Sequence, residues 1–285
     1  DASYSVEENT AAGLVLGTLV ATDPDKSAPN NTLTYKVLSG NDAGMFELSD
    51  AGKLSVAKNT LDFEKVASYT LTVQVSDAGT PSQKDTAIVK ISVLDVNEKP
   101  EIADASYSVE ENTAAGLVLG TLVATDPDKS SPNNTLTYKV LSGNDAGMFE
   151  LSTAGKLTLV SDSLDYEKVA SYTLTVQVSD AGTPSLKDTA IVKISVLDVN
   201  EKPEIADASY SVEENNKASI TLGTLSATDP DKSSPNNSLT YKILSGNSGS
   251  FFEVSATGKL SVVKAGFDYE TKSSYTLTVQ VSDAG

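Results

Sequence analysis

Apolar and polar residues alternate with a period of two wherever this chain is not turning. Tyr69-Thr-Leu-Thr-Val-Gln-Val-Ser-Asp77 puts Tyr69, Leu71, Val73 and Val75 on one face and Thr70, Thr72 and Gln74 on the other. Thr86–Leu94 predicts a second long strand and Leu33–Leu38 a third. Shorter strands are expected at Tyr4–Val6, Leu16–Thr22, Phe46–Leu48 and Lys53–Val56. Asp-Ala-Gly, Ser-Gly-Asn and Gly-Thr-Pro-Ser separate them as turn signals. Seven short strands in about 100 residues, with no helical period, predict an all-β, immunoglobulin-like sandwich. Tyr35, Phe46 and Tyr69 then read as core or corner residues, with Tyr69 placed to anchor a corner at the start of the sixth strand.

The whole pattern recurs. Tyr4, Tyr107 and Tyr210 are each followed by Ser-Val-Glu-Glu-Asn, and residues 1–103 and 104–206 differ at 10 positions, six of them within Ser55–Thr60. A period this long matches a complete small domain rather than a solenoid unit. Three tandem sandwiches are expected, at 1–99, 100–202 and 203–285. The third has no counterpart of Thr86–Leu94 or Thr189–Leu197. It is therefore expected to lack its last strand, to expose a sheet edge and part of its core, and to continue in the parent protein with another strand and joint. The joints, Asp95-Val-Asn-Glu-Lys-Pro100 and Asp198-Val-Asn-Glu-Lys-Pro203, are short, polar and closed by proline, unlike a flexible linker.

Composition narrows the chemistry. The 285 residues contain no cysteine and no histidine, and all 21 basic residues are lysine. Disulfides, thiolate or imidazole metal sites and cysteine or histidine catalysis are excluded. A net charge of -18 argues against nucleic acid, and no apolar run approaches the roughly 20 residues that span a bilayer. The negative charge is concentrated. Each repeat carries acids at the positions of Glu8, Asp62 and Glu64 and of Asp23, Asp25 and Asp77. With Glu98 and Glu201 these account for 20 of the 39 acids, so the rest of the chain is close to neutral.

Taken singly, Glu-Glu-Asn, Asp-Pro-Asp, Leu-Asp-Phe-Glu and Asp-Val-Asn-Glu are ordinary surface words. Together in one repeat they offer several oxygen ligands from separate segments, which is what calcium requires: six to eight oxygens at roughly 2.3–2.6 Å. An EF-hand fails, because a loop starting at Asp126 has Ser131 at its sixth position and Thr137 at its twelfth.

Val-x-Glu-Asn, Ala-x-Asp-x-Asp, Leu-Asp-x-Glu, Val-x-Val-x-Asp and Asp-x-Asn-Glu-x-Pro, in that order, resemble the cadherin repeat, and most closely the bacterial cadherin-like modules of large repetitive surface proteins. The resemblance covers all three copies and implies Greek-key sandwiches with calcium held between consecutive repeats. At the first joint it implies ligands from Glu8, Asp62 and Glu64, from Asn97, Glu98 and the carbonyls of Val96 and Lys99, and from Asp126, Asp128, Asp180 and the carbonyl of Asn133. At the second it implies Glu111, Asp165, Glu167, Asn200, Glu201, Asp229, Asp231 and Asp283, with the carbonyls of Val199, Lys202 and Asn236. Seven carboxylates per joint fit two or three calcium ions. The family commonly has aspartate where Glu98 and Glu201 stand and asparagine where Lys99 and Lys202 stand, departures that bear on the ion count.

The expected function is that of a calcium-rigidified rod in adhesion at a bacterial cell surface or outside the cell. Its partner would be homophilic, another protein or a glycan. The alternative is a carbohydrate- or protein-binding module whose calcium is purely structural. Absence of tryptophan and an aromatic content of 6% disfavour a sugar platform, and exclude adhesion by exchange of a tryptophan. A hydrolase using paired carboxylates is disfavoured because near-identical acidic sites recur at every joint.

Overall fold

The computed structural model describes residues 1–285. The first repeat forms β1 (Ala2–Glu7), β2 (Val15–Thr18), β3 (Thr34–Ser39), β4 (Phe46–Leu48), β5 (Lys53–Val56), β6 (Ser68–Ser76) and β7 (Lys84–Leu94). The second adds β8 (Glu101–Ile102), β9 (Ala105–Glu110), β10 (Val118–Thr121), β11 (Ala124–Thr125), β12 (Thr137–Ser142), β13 (Phe149–Leu151), β14 (Lys156–Leu159), β15 (Ser171–Ser179) and β16 (Lys187–Leu197). The third contains β17 (Glu204–Ile205), β18 (Ile220–Thr224), β19 (Ala227–Thr228), β20 (Thr240–Ser245), β21 (Phe252–Val254), β22 (Lys259–Val262) and β23 (Thr278–Ser282).

In repeat 1 a four-stranded sheet, ordered β1-β7-β6-β3, faces a three-stranded sheet, β2-β5-β4. The inward residues of the alternating runs close the core between them: Val6, Phe46, Leu54, Val56, Leu61, Leu71, Val73, Val89, Ile91 and Val93. Each large side chain so buried contributes roughly 1.5–3 kcal/mol. Tyr4 crosses from β1 to cover Gly17 in β2, where a Cβ would lie 2.6 Å from the tyrosine ring, so glycine permits the approach. Tyr69 packs edge-on against Phe46 at 5.1 Å. The hydroxyl anchor, however, belongs to Tyr35, which accepts the Ala21 N–H at 2.8 Å.

The expected strand Leu16–Thr22 is shorter. It ends at Thr18, after a bulge between Val15 and Gly17. In repeats 2 and 3 the later part is a separate short strand, β11 or β19, because it finds a partner in β8 or β17 just after the joint.

Repeat 3 shows how far strands depend on partners. Ser274–Ser282 has the same nine residues as Ser171–Ser179, yet only Thr278–Ser282 is strand; Ala208–Glu213 matches Ala105–Glu110 and is not strand at all. In repeat 2 both segments pair with β16, β9 running parallel to it and β15 antiparallel. The 285 residues include no segment in the place of β16 for repeat 3, and without that partner Ala208–Glu213 and Ser274–Leu277 form no ladder. The core cluster there has four buried members, Phe252, Leu260, Val262 and Phe267, against fifteen in repeat 2. Phe251, Phe252, Phe267 and Tyr275 gather into an aromatic cluster with ring separations of 4.9 to 5.7 Å.

Hydrogen exchange followed peptide by peptide is expected to be slow across Ser171–Leu174 and fast across the identical Ser274–Leu277. Equal protection would mean that the shared sequence, rather than its partner strand, sets local stability.

Candidate metal centre at the joints between repeats

Glu8 directly follows β1 and is 3% exposed. Its Oε2 accepts the Phe63 N–H at 2.8 Å and its Oε1 accepts the Val96 N–H at 2.9 Å. The word Glu-Glu-Asn, the loop before β6 and the joint are thereby drawn to one point. Glu111 does the same with Tyr166 and Val199, at 2.6 and 2.9 Å. Glu7, next to Glu8, is exposed. Asn9 adopts a left-handed φ of 56°, which asparagine tolerates, and its amide reaches Glu98 Oε1 at 2.8 Å.

The following repeat supplies the other half. Asp126 Oδ1 accepts the Asp128 N–H at 3.0 Å, closing the Asp-Pro-Asp turn. Asp128 Oδ2 accepts the Glu98 N–H at 2.9 Å, and the Asn97 amide donates to Asp180 Oδ2 at 3.2 Å and to the Pro184 carbonyl at 2.8 Å. Asn133 reaches Asp128 from the next turn at 3.5 Å. At the second joint Asp231 accepts from Glu201 at 2.9 Å, Asp229 accepts from Asp231 at 3.0 Å, and Asn200 reaches Asp283 at 3.3 Å. Asp62 and Asp165 stand at the rim, held by Lys65 and Lys168 at 2.7 and 2.6 Å. The expected residues therefore gather at two joints. Asn236 is half-buried.

Two residues were missed. Glu8, Glu64 and Asp95 bring carboxylate oxygens within 4.8 Å of one another, as do Glu111, Glu167 and Asp198. Asp95 and Asp198 are the first letters of the joint words, and their acidic character next to Asn and Glu was the available signal. Lys99 also does more than present a carbonyl. Its Nζ pairs with Asp188 Oδ1 at 2.8 Å, while Asp188 Oδ2 accepts the Ile102 N–H at 3.1 Å, fixing the joint to the repeat that follows.

The chain contains its own comparison. Glu8 and Glu111 are buried at joints, whereas Glu214, the same residue of repeat 3, is exposed; Asp128 and Asp231 are 3% exposed, whereas Asp25 is open to solvent. Burial of these acids follows from two repeats meeting, not from the motif. Buried carboxylates need donors, yet both oxygens of Glu64, and Asp95 Oδ1, Asn97 Oδ1 and Asp126 Oδ2, have none at the first joint. Glu167 Oε2, Asp229 Oδ2 and Asp231 Oδ1 repeat this at the second. Oxygen acceptors of high charge, converging and without donors, fit a hard divalent cation such as calcium and no softer metal.

The energetics agree. Burial pushes the carboxyls of Glu64 and Asp95 up, aided by neighbouring acids. Asp126 is pushed up to about 6, by burial first and by Asp128 and Asp180 after it. At the rim, a hydrogen bond from Lys65 holds Asp62 below its ordinary value.

Tandem β-sandwiches joined by short, acid-lined segments define the class of this repeat protein. The chain belongs to the cadherin family: the cadherin domain model matches residues 2–94, 105–197 and 208–285. It is 34% identical over 290 residues to human Protocadherin Fat 1, covering 99% of this chain and 6% of that protein. It is 33% identical to mouse Cadherin-23 over 298 residues, covering 99% of this chain and 9% of that one. The structure of mouse Cadherin-23 EC22-24 superposes with a TM-score of 0.77 at 30% identity, covering 99% of this chain and 90% of that one. Protocadherin Gamma B2 extracellular cadherin domains 1-5 superpose with a TM-score of 0.79 at 28% identity, covering 100% and 56%. The chain thus spans a small part of its full-length relatives. Those named here with an organism are animal proteins, and they lend no support to the bacterial origin expected from the sequence.

In chelator, a definite pH dependence is expected. For Glu64, Asp95 and Asp126 the folded joint keeps protons that the unfolded chain has already released. Their stabilising contribution is present below the ordinary carboxyl range and is lost as pH rises toward about 6. Asp62 and Asp188, held low by lysine, act oppositely and lose their contribution only in stronger acid. The melting temperature of the chelated chain should therefore rise on going from about pH 7 to about pH 5. A fall over that interval would contradict the crowding of these acids.

Proposed function

We propose that this chain is a calcium-rigidified rod segment of an extracellular adhesion protein, built of repeats 1–99, 100–202 and 203–285. The reading rests on one observation: donor-less, buried carboxylate oxygens converge at both joints, where two repeats meet.

Within each joint the chain's own groups divide the work. Glu8 and Glu111 hold the base loop and joint together through backbone N–H groups. Glu64, Asp95, Asn97 and Asp126 then present free oxygens, Asp128 and Asp180 add carboxylates already steadied by N–H donors, Asp62 and Glu98 stand at the rim, and the carbonyls of Val96, Lys99 and Asn133 complete the set. Glu167, Asp198, Asn200, Asp229, Asp231 and Asp283 take these roles at the second joint, with Asp165 and Glu201 at its rim and the carbonyls of Val199, Lys202 and Asn236. Calcium, when bound, supplies the positive charge that lets ligands from two repeats share one point. Two full charges 4.8 Å apart repel by about 3 kcal/mol at an effective dielectric of about 20. Uncompensated, that repulsion drives consecutive repeats apart; compensated, the angle between them is fixed. A glycan platform has less support, because Phe46, Phe149 and Phe252 lie in the cores and the most exposed aromatic ring, Tyr269, is single.

Small-angle scattering in chelator and in millimolar calcium is expected to show a longer, straighter particle with the ion. Calcium should also raise stability by about 2.7 kcal/mol per site at one hundred times the dissociation constant. Identical scattering profiles would defeat the rod. Asp128→Ala should loosen the first joint and spare the second, whereas Glu7→Ala should change neither calcium stoichiometry nor shape. Equal effects would show the ligand assignment to be displaced by one residue.

A further inference from the structure

The joints contain cations of their own. Lys129 follows Asp128 in repeat 2, crosses the joint and donates from Nζ to the carbonyl of Glu64 in repeat 1. Lys232 makes the same bond to the carbonyl of Glu167 at the second joint. The ammonium lies at the rim, beside Asp62 or Asp165, where it joins Lys65 or Lys168 in holding that carboxyl low. The other rim acids are also engaged, since Asn9 donates to Glu98 and Asn112 to Glu201 at 2.8 and 2.9 Å. The free, buried oxygens lie on the inner side, on Glu64, Asp95, Asn97 and Asp126.

We propose that the ammonium groups of Lys129 and Lys232 act as the outer cation of their joints, so that each joint holds two calcium ions and excludes a third. This rests on the reading of the joints as calcium sites. Charge supports it. Eight carboxylates meet at the first joint: Glu8, Asp62, Glu64, Asp95, Glu98, Asp126, Asp128 and Asp180. Two ions bring four positive charges to these acids and Lys65 and Lys129 bring two more, so most of the negative charge is already compensated before a third ion is added. Position supports it as well, because the lysine comes from the opposite repeat and takes a backbone carbonyl from the loop that also carries Asp62. A solvent-exposed lysine contact is worth little by itself. Here the contact crosses the junction to the backbone of Glu64 or Glu167, residues whose own carboxylates carry buried oxygens without donors.

The test counts ions on the full chain by native mass spectrometry and calorimetric titration. The unaltered chain should bind about four calcium ions, and Lys129→Met with Lys232→Met about six. Lys129→Arg with Lys232→Arg keeps the charge and should stay near about four. About six ions on the unaltered chain, or about four on the methionine variant, would overturn the lysine as outer cation while leaving the calcium joint intact. No binding at all would overturn both.

Discussion

Everything at a joint is hung on a buried glutamate with two backbone N–H groups pointed at it. Glu8 is taken out of water at a cost of several kcal/mol unless its oxygens are satisfied, and the partners available are the Phe63 and Val96 N–H groups. Satisfying it fixes the end of β1, the base loop and the start of the joint relative to one another. Only then are Glu64 and Asp95 close enough to repel, and only against that fixed base can the following repeat add Asp126, Asp128 and Asp180. Glu111 repeats the arrangement with the same partners in its own repeat, so both joints share one geometry although no residue is common to them.

Much of this was legible in the sequence. Strand positions follow from alternation because each sheet has one wet face and one dry one, and that binary choice is written into every second residue. The acidic words could be found for the same reason, since carboxylates clustered in a few short motifs are otherwise hard to account for. Three features were not legible. The strand expected over Leu16–Thr22 divides because its second half pairs only with residues lying beyond a joint. The hydroxyl anchor falls to Tyr35 because a Tyr hydroxyl bonds whichever backbone group is close, and alternation places the ring without saying where its tip arrives. Asp95 was legible as the first letter of the joint word but not as part of the acidic group, because its nearness to Glu8 and Glu64 depends on how the chain turns after Leu94.

Identical peptides in repeats 2 and 3 adopt different structures, which sets a limit on reading sequence locally. Ser-Tyr-Thr-Leu-Thr-Val-Gln-Val-Ser has high β propensity in both places, but propensity in a sheet is largely a statement about neighbours. The same holds for charge. Glu214 and Glu111 are the same residue in the same word, and only Glu111, at a joint, is buried. Both the strand and the site belong to pairs of segments.

The parallel pairing of β1 with β7 bears on how the molecule takes mechanical load. The two strands are the first and last of their repeat and lie side by side from Ala2 against Val89 to Glu7 against Leu94. Tension enters a repeat at the start of one and leaves at the end of the other, so it slides them past each other along their length. Hydrogen bonds pulled in that direction must yield together, whereas bonds peeled from one end yield in turn. The sandwich is therefore braced along the one axis on which a chain of such repeats would be stretched, and β9 with β16 extends the same bracing to the second repeat.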